Sequence, residues 1–170
     1  RNHEQMRQRV REAERQEKEW DGFPTPAPYS VLKIDELRDA VRSMTLTSQG
    51  AQTRLNMTEG LTESTQRSLK ASQEKARQLS ERLEEVQDPV KRDTLTADRD
   101  LARVRERVEG ARVGMLEAEK MQIQEEVAEA RHRMALLTRQ LSVAEQDPAF
   151  TQQDYDKIKK RLNAEHQSLT

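Results

Sequence analysis

Ile34-Asp35-Glu36-Leu37-Arg38-Asp39-Ala40-Val41-Arg42-Ser43-Met44 opens a run that keeps seven-residue timing without a slip as far as Val86. One series of positions reads Ile34, Val41, Ser48, Leu55, Thr62, Leu69, Ala76 and Leu83. Its companion reads Leu37, Met44, Ala51, Thr58, Thr65, Ser72, Leu79 and Val86. Eleven of these sixteen positions are apolar, and none is Gly or Pro. That spacing puts a narrow apolar stripe on one continuous helix, roughly 80 Å long at about 1.5 Å per residue. A single helix cannot bury its own stripe, so the pattern demands other helices to lie against.

Composition agrees. Of 170 residues, 36% are charged and 33% apolar, and the five aromatics leave little for a thick core. Glu, Arg, Gln, Ala and Leu dominate, as in long paired helices. Disorder is the competing reading of such a charge-rich chain, but the signs are interspersed and the apolar spacing is regular. Thirty basic and thirty-one acidic residues leave a net charge of −1, so no basic field marks a nucleic-acid surface. Arg7, Arg9, Arg11 and Arg15 alternate with Glu4, Glu12, Glu14, Glu17 and Glu19, the pattern of a solvated helix face. Cysteine is absent, which suits a helical rod in either redox compartment. No stretch approaches the ~18 consecutive apolar residues of a membrane span. A chain starting at Arg1 reads as a processed or excised piece, with any targeting segment outside it.

Punctuation divides the chain into four helices within one elongated domain, 1–170. The first covers about 1–20, with Met6, Val10 and Ala13 on one face. The stretch 21–30 holds Pro24, Pro26 and Pro28, which forbid helix. Ser30 is placed to cap a second helix over 31–87. Asp88-Pro89 ends it and starts a third, over 90–146, with Asp as N-cap and Pro at the first helical position. Asp147-Pro148 repeats the device, and Thr151-x-x-Asp154 reads as a capping box with Asp in place of Glu. The fourth helix, 152–169, carries Tyr155, Ile158, Leu162 and Leu169. On the third helix, Leu101, Val104, Val108, Ala111, Met115 and Ala118 hold one register. Ile123, Val127, Ala130, Met134, Leu137, Leu141 and Ala144 hold another. A break or a change of packing partner near Gly110 and Gly114 would account for the change; ordinary drift at 3.6 residues per turn is the alternative.

The two long helices, joined by a turn too short for a parallel return, should fold as an antiparallel hairpin. The fold class expected is therefore all-α: an elongated hairpin or coiled coil with two flanking shorter helices. The loop before the second helix and the turn after the third would then meet. All five aromatics fall there: Trp20, Phe23 and Tyr29 on one side, Phe150 and Tyr155 on the other. A knot of these rings would clamp the outer helices onto the hairpin, each ring contributing about 1.5–3 kcal/mol, so Trp20→Ala should loosen that end more than any stripe substitution.

Candidate chemistry is thin. Glu129-x-x-His132 has the spacing of a di-iron ligand pair, but His3 and His166 supply no second copy, and a polar helix face is the better reading. There is no nucleophilic Cys, no glycine-rich phosphate loop and no Ser-His-acid set. The expectation is no catalytic residue, no cofactor and no metal. The Ser/Thr-rich stretch from Ser43 to Ser72 reads as small residues allowing close helix contact, the alternative being a weak segment that can shift or be modified. Asn56-Met57-Thr58 matches a glycosylation acceptor, in a helical setting that suits it poorly.

One stretch carries a resemblance. Trp20-Asp21-Gly22-Phe23, the Pro-rich run to Pro28-Tyr29-Ser30, and then Asp35-Glu36-Leu37-Arg38 resemble a segment in the N-terminal extensions of large bacterial mechanosensitive channels of the small-conductance family. The Phe150-Thr151-x-x-Asp154-Tyr155 turn is similar too. The resemblance implies a periplasmic helical domain upstream of membrane helices and a cytoplasmic vestibule, in a homo-heptameric channel that opens under tension in hypo-osmotic shock. It implies membrane helices outside these residues, since none here matches a pore-lining helix. Self-association or contact with neighbouring subunits through the helical stripes is the partnership expected, and nucleic acid is not. An unrelated intracellular coiled-coil scaffold or tether, with a cytoplasmic location, is the rival reading of the same heptads.

Overall fold

The computed structural model describes residues 2–168. In chain order it contains α1 (Asn2–Glu19), β1 (Tyr29–Ser30), α2 (Val31–Glu85), α3 (Pro89–Ala144), β2 (Pro148–Ala149) and α4 (Gln152–Ser168). The fold is all-α, with two long helices packed together and two shorter ones beside them. The strands amount to one parallel bridge in which Tyr29 faces Pro148 and Ser30 faces Ala149. Helix boundaries follow the punctuation. Asp88 Oδ1 accepts from Val90 N at 3.0 Å, as expected of an N-cap followed by Pro at the first helical position.

The α2 stripe is realised at every position. All sixteen residues from Ile34 to Val86 are buried or half-buried, including Ser48, Thr58, Thr62, Thr65 and Ser72. The threonines reach the seam because they are small and can return their hydroxyl to their own helix. Thr62 Oγ1, for example, donates to the Thr58 carbonyl at 2.7 Å. Such back-bonding satisfies a buried hydroxyl without a partner from the facing helix.

On α3 the sequence reading needs correction. The helix is continuous, with no break at Gly110 or Gly114, and a Cβ at either would meet nothing within 4 Å. Its inward stripe does not change register. It runs Leu95, Arg99, Ala102, Glu106, Glu109, Val113, Leu116, Lys120, Ile123, Val127, Ala130, Met134, Leu137, Leu141 and Ala144, all buried or half-buried. The expected first register, Leu101 to Ala118, is exposed throughout. Apolar periodicity misled here because Arg99, Glu106, Glu109 and Lys120 occupy seam positions. Long side chains can lay their methylenes along a seam and keep their charges wet, so the inward stripe is less apolar than the outward one.

The chain, read from sequence as one domain, divides into two compact units, one of Arg1–Ala51 with Glu125–Thr170 and one of Gln52–Gln124. In the first, the start of α2 lies antiparallel to the end of α3. Arg38 pairs with Glu145 at 2.8 Å, and Thr45 Oγ1 lies 3.8 Å from Met134 Sδ. Helix α1 joins them along α3 in the same direction. Arg7 meets Glu125 at 3.3 Å, Arg9 meets Glu129 at 3.1 Å and Glu17 meets His132 at 2.6 Å. Ala13, on the face that carries Met6 and Val10, is buried. In the second unit only the end of α2 and the start of α3 are present. Ala76, Leu79 and Ala102 form its small core with Leu95 against it, and Lys120 pairs with Glu59 at 3.0 Å.

Candidate interaction site

The residues singled out for interaction meet in the first unit, where the loop before α2 returns beside the turn after α3. Gly22 makes that loop possible. Its φ of +143° is one that L side chains rarely adopt, and the turn brings the Phe23 ring edge-on to Trp20 with centroids 5.4 Å apart. Tyr29 follows at 5.0 Å from Phe23. Two cations cover the rings: Lys33 Nζ sits 3.5 Å from the Phe23 centroid, and the Arg139 guanidinium lies 5.1 Å from Trp20. Because Arg139 belongs to α3, Trp20 ties the loop after α1 to that helix through a cation–π contact. The Ala27–Pro28 peptide is cis.

Phe150 and Tyr155 do not join this cluster. They are 61% and 51% exposed, and Tyr155 has Lys159 Nζ 5.9 Å from its ring. The expected five-ring knot is thus a three-ring cluster on the α2 side. Both residues flank the first turn of α4, whose inward position is taken by a carboxylate. Leu162 is exposed as well, so the expected α4 stripe is reduced to half-buried Ile158; Leu169 lies outside the described residues.

The carboxylate is Asp154, only 1% exposed. Its Oδ2 accepts from Thr151 N at 2.7 Å and from Thr151 Oγ1 at 2.9 Å. Asp154 N lies 3.2 Å from Thr151 Oγ1, which completes a reciprocal capping box at the start of α4. Its Oδ1 accepts from Ser30 Oγ, and Ser30 Oγ in turn accepts from Lys33 N at 3.3 Å, capping α2. One side chain therefore closes two helix N-termini. The Ser30 hydroxyl and then the Thr151 amide hold the Asp154 carboxyl below the ordinary carboxylate range, with the Thr151 hydroxyl and Lys157 helping. Around it the backbone is stitched by Tyr29 N donating to Asp147 O at 2.8 Å. Beside it, Asp35, Glu36 and Asp39 of α2 line a groove opposite Lys157, Lys160 and Arg161 of α4.

Other sequence candidates are absorbed into helix packing. Glu129, which is buried, places Oε1 3.1 Å from Arg9 and 2.7 Å from Arg133. The same oxygen makes no aligned hydrogen bond, so these contacts are ion pairs in character. His132 is taken by Glu17, and among the described residues no cluster of His, Cys, Asp or Glu could hold a metal ion. Asn56 accepts from Gln52 at 3.0 Å within α2, while Thr58 of the glycosylation match is buried. Sequence reading found Ser30 and the Thr151–Asp154 box separately but missed the bond that joins them. Both are capping signals, and a capping signal gives no hint of a partner more than a hundred residues away.

Among the described residues no helix is long and apolar enough to cross a membrane. No family, no curated protein and no solved structure matches this chain.

Proposed function

We propose that this chain is a non-catalytic interaction and spacer domain, acting in the periplasmic extension of a bacterial mechanosensitive channel that answers osmotic shock. The channel assignment rests on the Trp20–Asp39 resemblance. The spacer role is carried by one observation: the first turns of α2 and α4 are fastened to each other through Ser30 and Asp154. A pull entering along α4 would reach α2 through that bond, the Tyr29–Asp147 amide bond and the β-bridge, instead of peeling α4 away. Paired helices then pass the load on with little extension, because their hydrogen bonds run along the axis.

Location tests the assignment. Protease added to intact spheroplasts of cells making the full-length protein should cut within residues 1–170 and leave cytoplasmic markers whole. Protection of this region until the inner membrane is broken would overturn the periplasmic reading and leave the intracellular tether in its place.

A further inference from the structure

The second unit places a few charged residues at its seam and leaves an apolar stripe in solvent. From Val90 to Ala118 the outer face of α3 carries Ala97, Leu101, Val104, Val108, Ala111 and Met115, all exposed, with Leu101 at 50%, Val108 at 60% and Met115 at 64%. They recur with the alternating three- and four-residue steps of a coiled-coil seam, over about 42 Å of helix. Contiguous exposed apolar surface of that kind marks an interaction site.

We propose that this stripe pairs antiparallel with the same stripe of a second copy of the chain. The proposal deepens the interaction-domain reading above and names its partner: because a seven-fold ring contains no two-fold axis, the pair joins copies from two different assemblies. Charge flanking the stripe selects the occupant. Its first half is bordered by Asp93, Asp98 and Asp100, and its second by Arg105, Arg107 and Arg112, so the stripe is complementary to its own reverse. Seating Leu101 opposite Val104 of the other copy puts Val108 opposite Ala97, Met115 opposite Val90 and Thr94 opposite Ala111. Val108 and Thr94 then face alanines, while Leu101 with Val104 and Met115 with Val90 form the bulkier layers. In that register Asp98 faces Arg105 and Asp100 faces Arg107, against one like-charge pair, Lys91 with Arg112, each of the three occurring twice across the two-fold axis. Asp100 already lies 2.8 Å from Arg99 of its own chain and would be shared. A parallel pairing does worse. It stacks Leu101 on Leu101 and Ala97 on Ala97, and it sets Asp93 beside Asp98 and Arg107 beside Arg112, with Asp100–Arg105 alone favourable. An isologous two-fold interface satisfies the pattern of complementary ends.

Light scattering of the 170-residue chain should give roughly twice its 19.8 kDa at high concentration. Val108→Glu should return it to the monomer mass with unchanged helical circular dichroism, since Val108 is exposed on the outer face of α3. Orientation is read by cysteines, introduced without background because the chain has none. Leu101→Cys mixed with Val104→Cys should form the mixed disulfide many-fold faster than either variant forms its own. A monomer at every concentration, or a dimer indifferent to Val108→Glu, overturns the proposal. Self-linking of Leu101→Cys that matches the mixture overturns the antiparallel arrangement. A helical monomer would leave the spacer reading intact, because that reading fails on location and not on mass.

Discussion

The two units use the same pair of helices to opposite ends. In the first, α1 and α4 lean on the hairpin, and polar links cross between elements at Arg9–Glu129, Glu17–His132, Arg38–Glu145 and Ser30–Asp154. In the second, α2 and α3 have only each other. The seam there mixes leucines, alanines and threonines with long charged residues, and a second apolar set, Leu101, Val104, Val108 and Met115, faces out. A coiled-coil sequence thus encodes two kinds of surface at once. The second differs in carrying, beside its seam, a regularly spaced apolar stripe that stays exposed.

Substitutions can test that contrast. The largest effect should fall on the seam of the first unit. Ile34→Ala removes a buried side chain and should cost about 2–5 kcal/mol, whereas Val108→Ala in the monomer should stay within about 0.5 kcal/mol. Equal losses in urea unfolding would erase the distinction between the buried seam and the outer stripe. Trp20→Ala should follow at about 2 kcal/mol: the ring is only half-buried, and its partners are Phe23 and Arg139. This places it below the best seam position, not above it.

Asp154→Ala should come next, at about 1–2 kcal/mol for the lost cap, seen as faster amide exchange at the starts of α4 and α2 but not in the second unit. Acid offers a companion measurement. Because the folded carboxyl is held below its ordinary range, its contribution is complete above that range and is lost as pH falls through the lowered value. Asp154→Asn should therefore flatten the acid dependence of the first unit while changing little near neutrality. In the opposite direction, Gly114→Ala should stabilise α3 by about 1 kcal/mol. The position is exposed mid-helix and a methyl group would meet nothing. A destabilised Gly114→Ala monomer would mean that the helix needs a bend there.

Much of this arrangement could be read from the chain alone, for identifiable reasons. The α2 seam is apolar enough for its period to stand out, and Asp88-Pro89 and Asp147-Pro148 are unambiguous helix punctuation. The antiparallel return, and with it the meeting of Tyr29 with Asp147, follows from helix lengths and turn size. On α3 the same reasoning chose the wrong face from Leu101 to Ala118. Hydrophobicity identifies a stripe, but it does not say whether the stripe points at the chain's own partner or at another molecule. Only the unslipped spacing back from Ile123 through Lys120, Leu116, Val113 and Glu109 marks the true seam, and that signal is hidden when charges are discarded from the count. The aromatic residues misled in a similar way. Phe150 and Tyr155 are close in sequence to the junction, but Asp154 holds the inward position between them.

The Lys120–Glu59 contact has a mechanical consequence. A purely apolar heptad seam looks the same after every seven residues, so two helices could slide by one repeat at little cost. Such a slide would move Lys120 from Glu59 to Gln52 or Gln66 and leave Glu59 without its cation. The joint is keyed: displacement applied to one helix is handed to the other instead of being lost in slippage.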